Sequence, residues 1–321
     1  MSGFRRVMAA ILLALLCAPG TWLRSPDLDL APATIGLSRI QAEAPAVQGP
    51  WRVAGVWHYD ADSVLFGGFS ALIPLEDGRL RAFSDRGGQF SFIQPDRPTA
   101  PFSVTSQPIA SDRLNDRRDI EAATIDAESG DTWLAMEQRH SVHRFDHAGR
   151  PTGVRIIDDG PLDWSRNSGA EAMTRLGDGR FLLLPERGRS GLMFAGDPVL
   201  DHPFSIVTYR PPMPGYAATD MAQLPDGRIL LLLRSVNLSR GLPRFESKLA
   251  IAPPPDPSGS KAWAPQIALD LGGLIPQENY EGMAVRERDD GSVAVWLISD
   301  DNFSVVQRTL LAQLIFDAPE R

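Results

Sequence analysis

Gly169-Ala-Glu171-Ala-Met-Thr-Arg175-Leu-Gly-Asp178-Gly-Arg180-Phe-Leu-Leu-Leu-Pro185-Glu186-Arg187 reads as two short apolar strands joined by a tight turn, with charge at the outer ends. The Asp-Gly step supplies the positive-φ residue that a hairpin turn needs. Phe181-Leu-Leu-Leu is apolar without alternation, as in a strand buried on both faces. The pattern recurs on either side. Upstream lie Phe69-Ser-Ala-Leu-Ile…Asp77-Gly…Phe83-Ser-Asp85-Arg86 and Asp119-Ile-Glu121-Ala-Ala…Ser129-Gly…Met136-Glu137-Gln-Arg139. Downstream lie Thr219-Asp220-Met-Ala…Asp226-Gly…Leu233-Arg234 and Tyr280-Glu281-Gly-Met-Ala…Asp290-Gly…Ser299-Asp300-Asp301. Aligned on Ser70, Glu121, Glu171, Asp220 and Glu281, the copies recur about every 50 residues, the last interval lengthened by the Pro-rich run Ala252–Lys261. Short strands at that period predict an all-β chain folded as a β-propeller of five blades, about 50 residues per blade. A degenerate sixth blade around residues 35–66 is the alternative. Trp51–His58 is expected to pair into the last blade and close the ring.

Composition narrows the partners. The 321 residues carry a formal charge of −8, which argues against non-specific nucleic-acid binding, since that needs clustered Lys and Arg. A basic head, Arg5-Arg6, precedes the apolar run Val7–Cys17, and Ala18-Pro-Gly20 follows it. Residues 1–23 therefore read as a secretory signal peptide, or as an N-terminal anchor if uncleaved, which would be the only membrane attachment. Residues 24–50 read as a leader and residues 51–321 as the propeller domain. An exported protein, periplasmic or secreted, is expected. The single cysteine, Cys17, lies in the signal, so removal of that segment leaves no thiol for a disulfide, a nucleophile or a thiolate metal site.

Hairpin symmetry predicts where the charges meet. With each Asp-Gly taken as a two-residue turn, Glu171 pairs with Glu186, Glu281 with Asp300, Ser70 with Asp85, Asp220 with Leu233 and Glu121 with Gln138. Ser70, Glu121, Glu171, Asp220 and Glu281 should then ring one mouth of the central channel. Asp85, Arg86, Glu137, Arg139, Glu186, Arg187, Arg234, Asp300 and Asp301 should form a second ring around them. Carboxylates crowded about an axis raise one another's pKa unless a cation or arginine intervenes. Neighbouring arginines are one solution, and a hard cation, Ca²⁺, is the other. A purely structural use of the acids, satisfying backbone N–H groups near the channel, is the competing interpretation. His140, His143 and His147 could be considered for zinc, but 140 and 143 point to opposite faces of a strand. No Gly-x-Ser-x-Gly elbow, Walker loop or Gly-x-Gly-x-x-Gly fingerprint is present.

The motifs Phe69-Ser-Ala-Leu…Ser84-Asp85-Arg86-Gly87, Asp119-Ile-Glu121-Ala, Glu171-Ala-Met…Pro185-Glu186-Arg187-Gly188 and Tyr280-Glu281-Gly-Met…Ser299-Asp300-Asp301-Asn302 resemble the bacterial phytase-like domain family, also called "esterase-like activity of phytase". The resemblance spans about residues 60–315 and implies hydrolysis of phosphate or carboxylic esters, with calcium-assisted attack by water if the likeness to propeller phytases extends to mechanism. The fourth repeat, Asp220-Met-Ala with Arg234 as its lone terminal charge, departs from the pattern. On this basis an exported, metal-dependent hydrolase of small anionic esters is expected. Glu121, Glu171 and Glu281 are its catalytic candidates. Asp85, Glu137, Glu186, Asp220, Asp300 and Asp301 are the metal ligands, and Arg86, Arg139, Arg187 and Arg234 grip the substrate. The alternative is a non-catalytic cell-envelope propeller that holds a ligand or protein partner at the same mouth.

Overall fold

The computed structural model describes residues 35–40, 46–61, 66–95, 105–108, 119–137, 140–157, 164, 169–200, 202–237, 239, 243–304 and 306–317. The segment 1–23 and Arg139 lie outside them. Three N-terminal strands, β1 (Ile35–Ile40), β2 (Val47–Gln48) and β3 (Trp51–Ala61), precede the repeats. Blade I contains β4 (Phe69–Pro74), β5 (Arg79–Ser84), β6 (Gly88–Ile93) and β7 (Thr105–Pro108). Blade II contains β8 (Ile120–Ile125), β9 (Thr132–Met136), β10 (Ser141–Phe145) and β11 (Pro151–Ile156). Blade III contains β12 (Ala170–Arg175), β13 (Phe181–Pro185), β14 (Ser190–Phe194) and β15 (Phe204–Thr208). Blade IV contains β16 (Ala217–Gln223), β17 (Ile229–Asn237), β18 (Arg244–Ala252) and β19 (Gln266–Asp270), and β20 (Tyr280–Glu287), β21 (Val293–Ser299) and β22 (Thr309–Phe316) begin blade V. A single 3₁₀ turn, Pro198–Leu200, is the one helical element among the described residues, and no helix there is long and apolar enough to cross a membrane.

The strands form five separate antiparallel sheets, and the first strands β4, β8, β12, β16 and β20 pack side by side in a closed circle. This is the five-bladed propeller expected from the period. The fifth sheet takes β3 from the N-terminus onto β22, with Leu311 opposite Trp57 and Phe316 opposite Trp51. Trp51 stacks on Phe316 at 4.3 Å, so the closing contact is aromatic as well as hydrogen-bonded. β1 pairs onto the outer edge of β3 and β2 caps its end. The residues around 35–66 therefore widen the closing blade and do not make a sixth one.

Burial explains why the middle strands read as continuous apolar runs. Phe181–Leu184 and Ile229–Leu233 are buried on both faces, because each blade packs against two neighbours. Leu230 and Leu232 face the layer shared with blade V, where Leu297 and Leu314 lie. Leu231 and Leu233 face blade III, where Leu182 and Leu184 lie. Alternate residues of one strand thus serve two interfaces, each full burial contributing about 1.5–3 kcal/mol.

The register differs from the predicted one, for two local reasons. First, the turns hold three residues, not two. Leu176 N donates to Arg180 O at 2.7 Å and Gly179 N to Leu176 O at 2.8 Å, with Gly179 at φ 89°. The loop is a type I turn followed by a left-handed glycine, which moves the symmetry centre by half a residue. The same bonds recur at Gly78, Gly227 and Gly291. Second, every innermost strand carries a β-bulge near its start, between Phe69 and Ala71, Ile120 and Ala122, Ala170 and Ala172, Ala218 and Asp220, and Tyr280 and Gly282. None of the four predicted pairs between described residues forms, and the fifth involves Gln138, which lies outside the described residues. Ala172, for example, sits opposite Leu184 and Ala170 opposite Pro185, leaving Glu171 unpaired between them.

Candidate functional site

The bulges decide which side chains face the channel mouth. A bulged residue leaves the ladder and its side chain is re-aimed. Those residues are Ser70, Glu121, Glu171, Thr219 and Glu281. In four blades this is the residue aligned from sequence. In blade IV it is Thr219 and not Asp220. The two hydroxyls behave alike, Ser70 Oγ donating to Ile120 O and Thr219 Oγ1 to Tyr280 O at 3.4 Å, each tying its strand to the next blade. Asp220 turns into the interface between blades IV and V. It is fully enclosed, and its carboxylate accepts from Met221 N at 2.8 Å and Met283 N at 2.6 Å. Burial pushes its pKa up while those two amides oppose the shift. This carboxylate performs the backbone-satisfying task.

The three glutamates converge. Burial, then the charges of Glu171, Glu281, Asp119 and Glu137, pushes Glu121 up to about 12. Burial and the charges of Glu186, Glu281 and Glu137 likewise raise Glu171 well above the usual range, with Arg234 opposing. Glu281 is raised by burial against the pull of Arg234 and Asn279. At the ends of the second strands, burial and the neighbouring Asp119 take Glu137 to about 7. Burial and Glu281 take Asp300 to about 8, and Asp85 is raised by burial with Arg86 opposing. These carboxyls form one electrostatic unit although they come from different blades.

Carboxylate oxygens of Asp119, Glu121 and Glu137 lie within 4.8 Å of one another. Two oxygens bound to one Ca²⁺ at about 2.3–2.6 Å can be no more than about 5 Å apart, so the spacing and the all-oxygen donor set fit such an ion. Asp119 was quoted in the repeat but given no role. Its signal is its place two residues before the bulged glutamate, where blade V has Asn279. The histidines do not join this group; Ser141 Oγ and His143 Nε2 are 3.0 Å apart along β10.

On the opposite side of the mouth an arginine replaces a cation. Arg234 bonds to Glu281, to Asn279 Oδ1 at 2.8 Å and to Glu186 at 3.2 Å, and its side chain is 14% exposed. Asn279, a residue the sequence did not single out, also donates to Glu281 at 3.0 Å and Asp300 at 3.2 Å. Asp301 stands just outside, its carboxylate accepting from Gly68 N at 3.0 Å, Phe303 N at 2.9 Å and Thr309 Oγ1 at 2.9 Å. Arg187 is 83% exposed, 3.5 Å from Glu186. Arg86 lies at the rim with its guanidinium 3.4 Å from the Phe303 ring centre. Among the described residues the mouth is therefore divided into a half built on the carboxylates Asp119, Glu121 and Glu137, with no arginine paired to them, and an arginine-neutralised half built on Glu186, Arg234 and Glu281.

No curated protein matches the chain in sequence. Solved structures share its shape only loosely. The PQQ-bound aldose sugar dehydrogenase from Streptomyces coelicolor aligns with a TM-score of 0.43 at 12% identity, covering 88% of this chain and 100% of that one. An exo-1,5-α-L-arabinanase from a bovine ruminal metagenomic library aligns with 0.45 at 9% identity, covering 77% and 92%. A family model described as "Phytase-like: Esterase-like activity of phytase" matches residues 64–303. That span holds every bulged residue and every mouth carboxylate named above, and the chain belongs to the phytase-like family.

Proposed function

We propose that this protein is an exported ester hydrolase, acting on phosphate esters with a divalent cation, Ca²⁺, held by Asp119, Glu121 and Glu137. The observation that carries the proposal is the close cluster of Asp119, Glu121 and Glu137 oxygens, in which burial and neighbouring acids push Glu121 up to about 12 and Glu137 to about 7, and which has no cation paired with it among the described residues. When bound, the ion would polarise a phosphoryl oxygen and acidify water. The chain's own groups do the rest. Glu171, kept protonated by burial, can donate a proton to a leaving alkoxide. Arg234 bridges Glu281 and Glu186 and holds both side chains in place. Arg86 and Arg187 at the rim offer donors to an anionic group. Residues 1–23, read as a signal peptide, support export, and with it an activity in the periplasm or outside the cell.

The Glu281–Arg234–Glu186 network favours a second reading, a rigid non-catalytic propeller that binds a partner at the mouth. Calcium titration calorimetry on chelator-stripped protein separates the two. The hydrolase reading expects binding that Glu121→Gln removes, and phosphate-ester turnover lost on chelation and restored by metal. Absence of binding heat at two temperatures, with no turnover, supports the binding propeller instead.

A further inference from the structure

A cleft of about 660 Å³ opens beside the mouth between blades V and I, lined in part by His58, Phe66, Arg86, Phe303, Gln307 and Arg308. Its wall is built with unusual effort. Asn302 and Phe303 both adopt left-handed backbone, φ 50° each, a conformation that is a genuine outlier for a bulky residue and that clusters at functional sites. Asp301 and Asp300 hold the loop there, accepting from Phe303 N at 2.9 Å and Asn302 N at 2.6 Å. Gly68 makes the room, since a Cβ there would collide with the Phe303 ring and come within 2.6 Å of Asp85 Oδ1. The result is an aromatic face under the Arg86 guanidinium, 3.4 Å away. Arg86 has no ion pair to a carboxylate among the described residues, whereas Arg308 is paired with Glu278 at 2.7 Å. A planar guanidinium laid on a ring keeps its in-plane N–H donors free for an anion.

We infer that this cleft is a substrate subsite for an amphipathic organic anion, with Arg86 taking the anionic group and Phe303 and Phe66 the flat apolar body. The inference deepens the hydrolase reading, because Asp85 and Asp300 link the cleft to the acid ring, and it names aryl phosphates as the substrate class. It is tested by calorimetry with phenyl phosphate and inorganic phosphate on chelated protein, where no turnover intrudes. Wild type should bind phenyl phosphate, and Arg86→Gln and Phe303→Gly should each weaken it at least tenfold. Inorganic phosphate should respond to Arg86→Gln only. Glycine accepts the left-handed backbone without strain, so Phe303→Gly should keep or raise the melting temperature while losing the ligand, which a merely structural ring would not do. Should that variant melt lower, Arg86→Lys, which leaves the loop intact, decides: unchanged binding overturns the subsite. Absence of binding to wild type, or wild-type affinity for phenyl phosphate in both variants, also overturns it. Binding without turnover after calcium is restored leaves the cleft standing and sinks the hydrolase reading. Turnover indifferent to Arg86 and Phe303 does the reverse.

Discussion

Raising the pH of chelator-treated protein from 5 to 8 should lower its melting temperature. The acids at the mouth have folded pKa values raised above their unfolded ones, to about 8 for Asp300, about 7 for Glu137 and about 12 for Glu121. Above about pH 4 the folded state therefore binds more protons than the unfolded one, and stability falls as pH rises. The contribution of each group is complete below its unfolded pKa and is lost progressively up to the folded value. One carboxyl held protonated costs about 1.4 kcal/mol per pH unit, or about 4 kcal/mol over the three units for Asp300. Halving this for solvent screening and for protons shared with neighbours leaves about 2 kcal/mol, or roughly 4–8 °C in Tm. Glu121, and Glu171 with its pKa raised well above the usual range by burial, add in the same direction. Asp77, Asp178 and Asp290 have lowered values through turn hydrogen bonds, so their contribution is lost only as pH drops below about 4 and leaves this window untouched. Calorimetry in a chelator at constant ionic strength reads the slope. A flat or rising Tm between pH 5 and 8 would refute the reasoning. Excess calcium should flatten the slope, since the ion takes the place of the protons.

Two substitutions probe the arginine-neutralised half of the mouth and the blade IV–V interface. Arg234→Met removes the guanidinium shared by Glu281 and Glu186 and should cost about 3–5 kcal/mol at pH 8, and less at pH 5, where Glu281, its pKa raised by burial, leaves less unpaired charge, as read by denaturant unfolding at both values. Asp220→Asn should cost about 1–3 kcal/mol through the amides of Met221 and Met283 while leaving the calcium heat unchanged, because this side chain lies in the blade IV–V interface and not at the mouth.

Much of the architecture was legible from repetition. Phe181–Leu184, Ile229–Leu233 and Val293–Ile298 are apolar without alternation because a blade is packed on both faces, and the period of about 50 residues is one blade of short strands. Pairing of Trp51–His58 with the last blade followed from the need to close the circle. The candidate site was legible at Glu121, Glu171 and Glu281 but misread at Asp220, since acidity suggested an alignment one residue away from Thr219. Asp119 and Asn279 stand apart from the charges that hairpin symmetry pairs, because they lie two residues before the aligned position, outside the paired strand ends. The predicted cross-strand pairs between described residues do not form because the Asp-Gly loops hold three residues and each innermost strand carries a bulge. Neither the third loop residue nor a bulge changes composition or hydrophobic pattern, so nothing in a linear reading marks them.

By itself, then, the amino-acid order determined the fold class, the number of blades and the end of the disc at which charge collects, because periodicity and turn chemistry are properties of neighbouring residues. Only the tertiary structure decided which charges meet. The five bulges re-aim one side chain per blade, and ring closure brings Glu281 of the last blade beside Glu121 and Glu171. Arg234 then neutralises one half of the mouth, while Asp119, Glu121 and Glu137 have no cation of their own among the described residues. Electrostatic coupling falls with distance and grows with burial, and both are set by residues far apart in the chain.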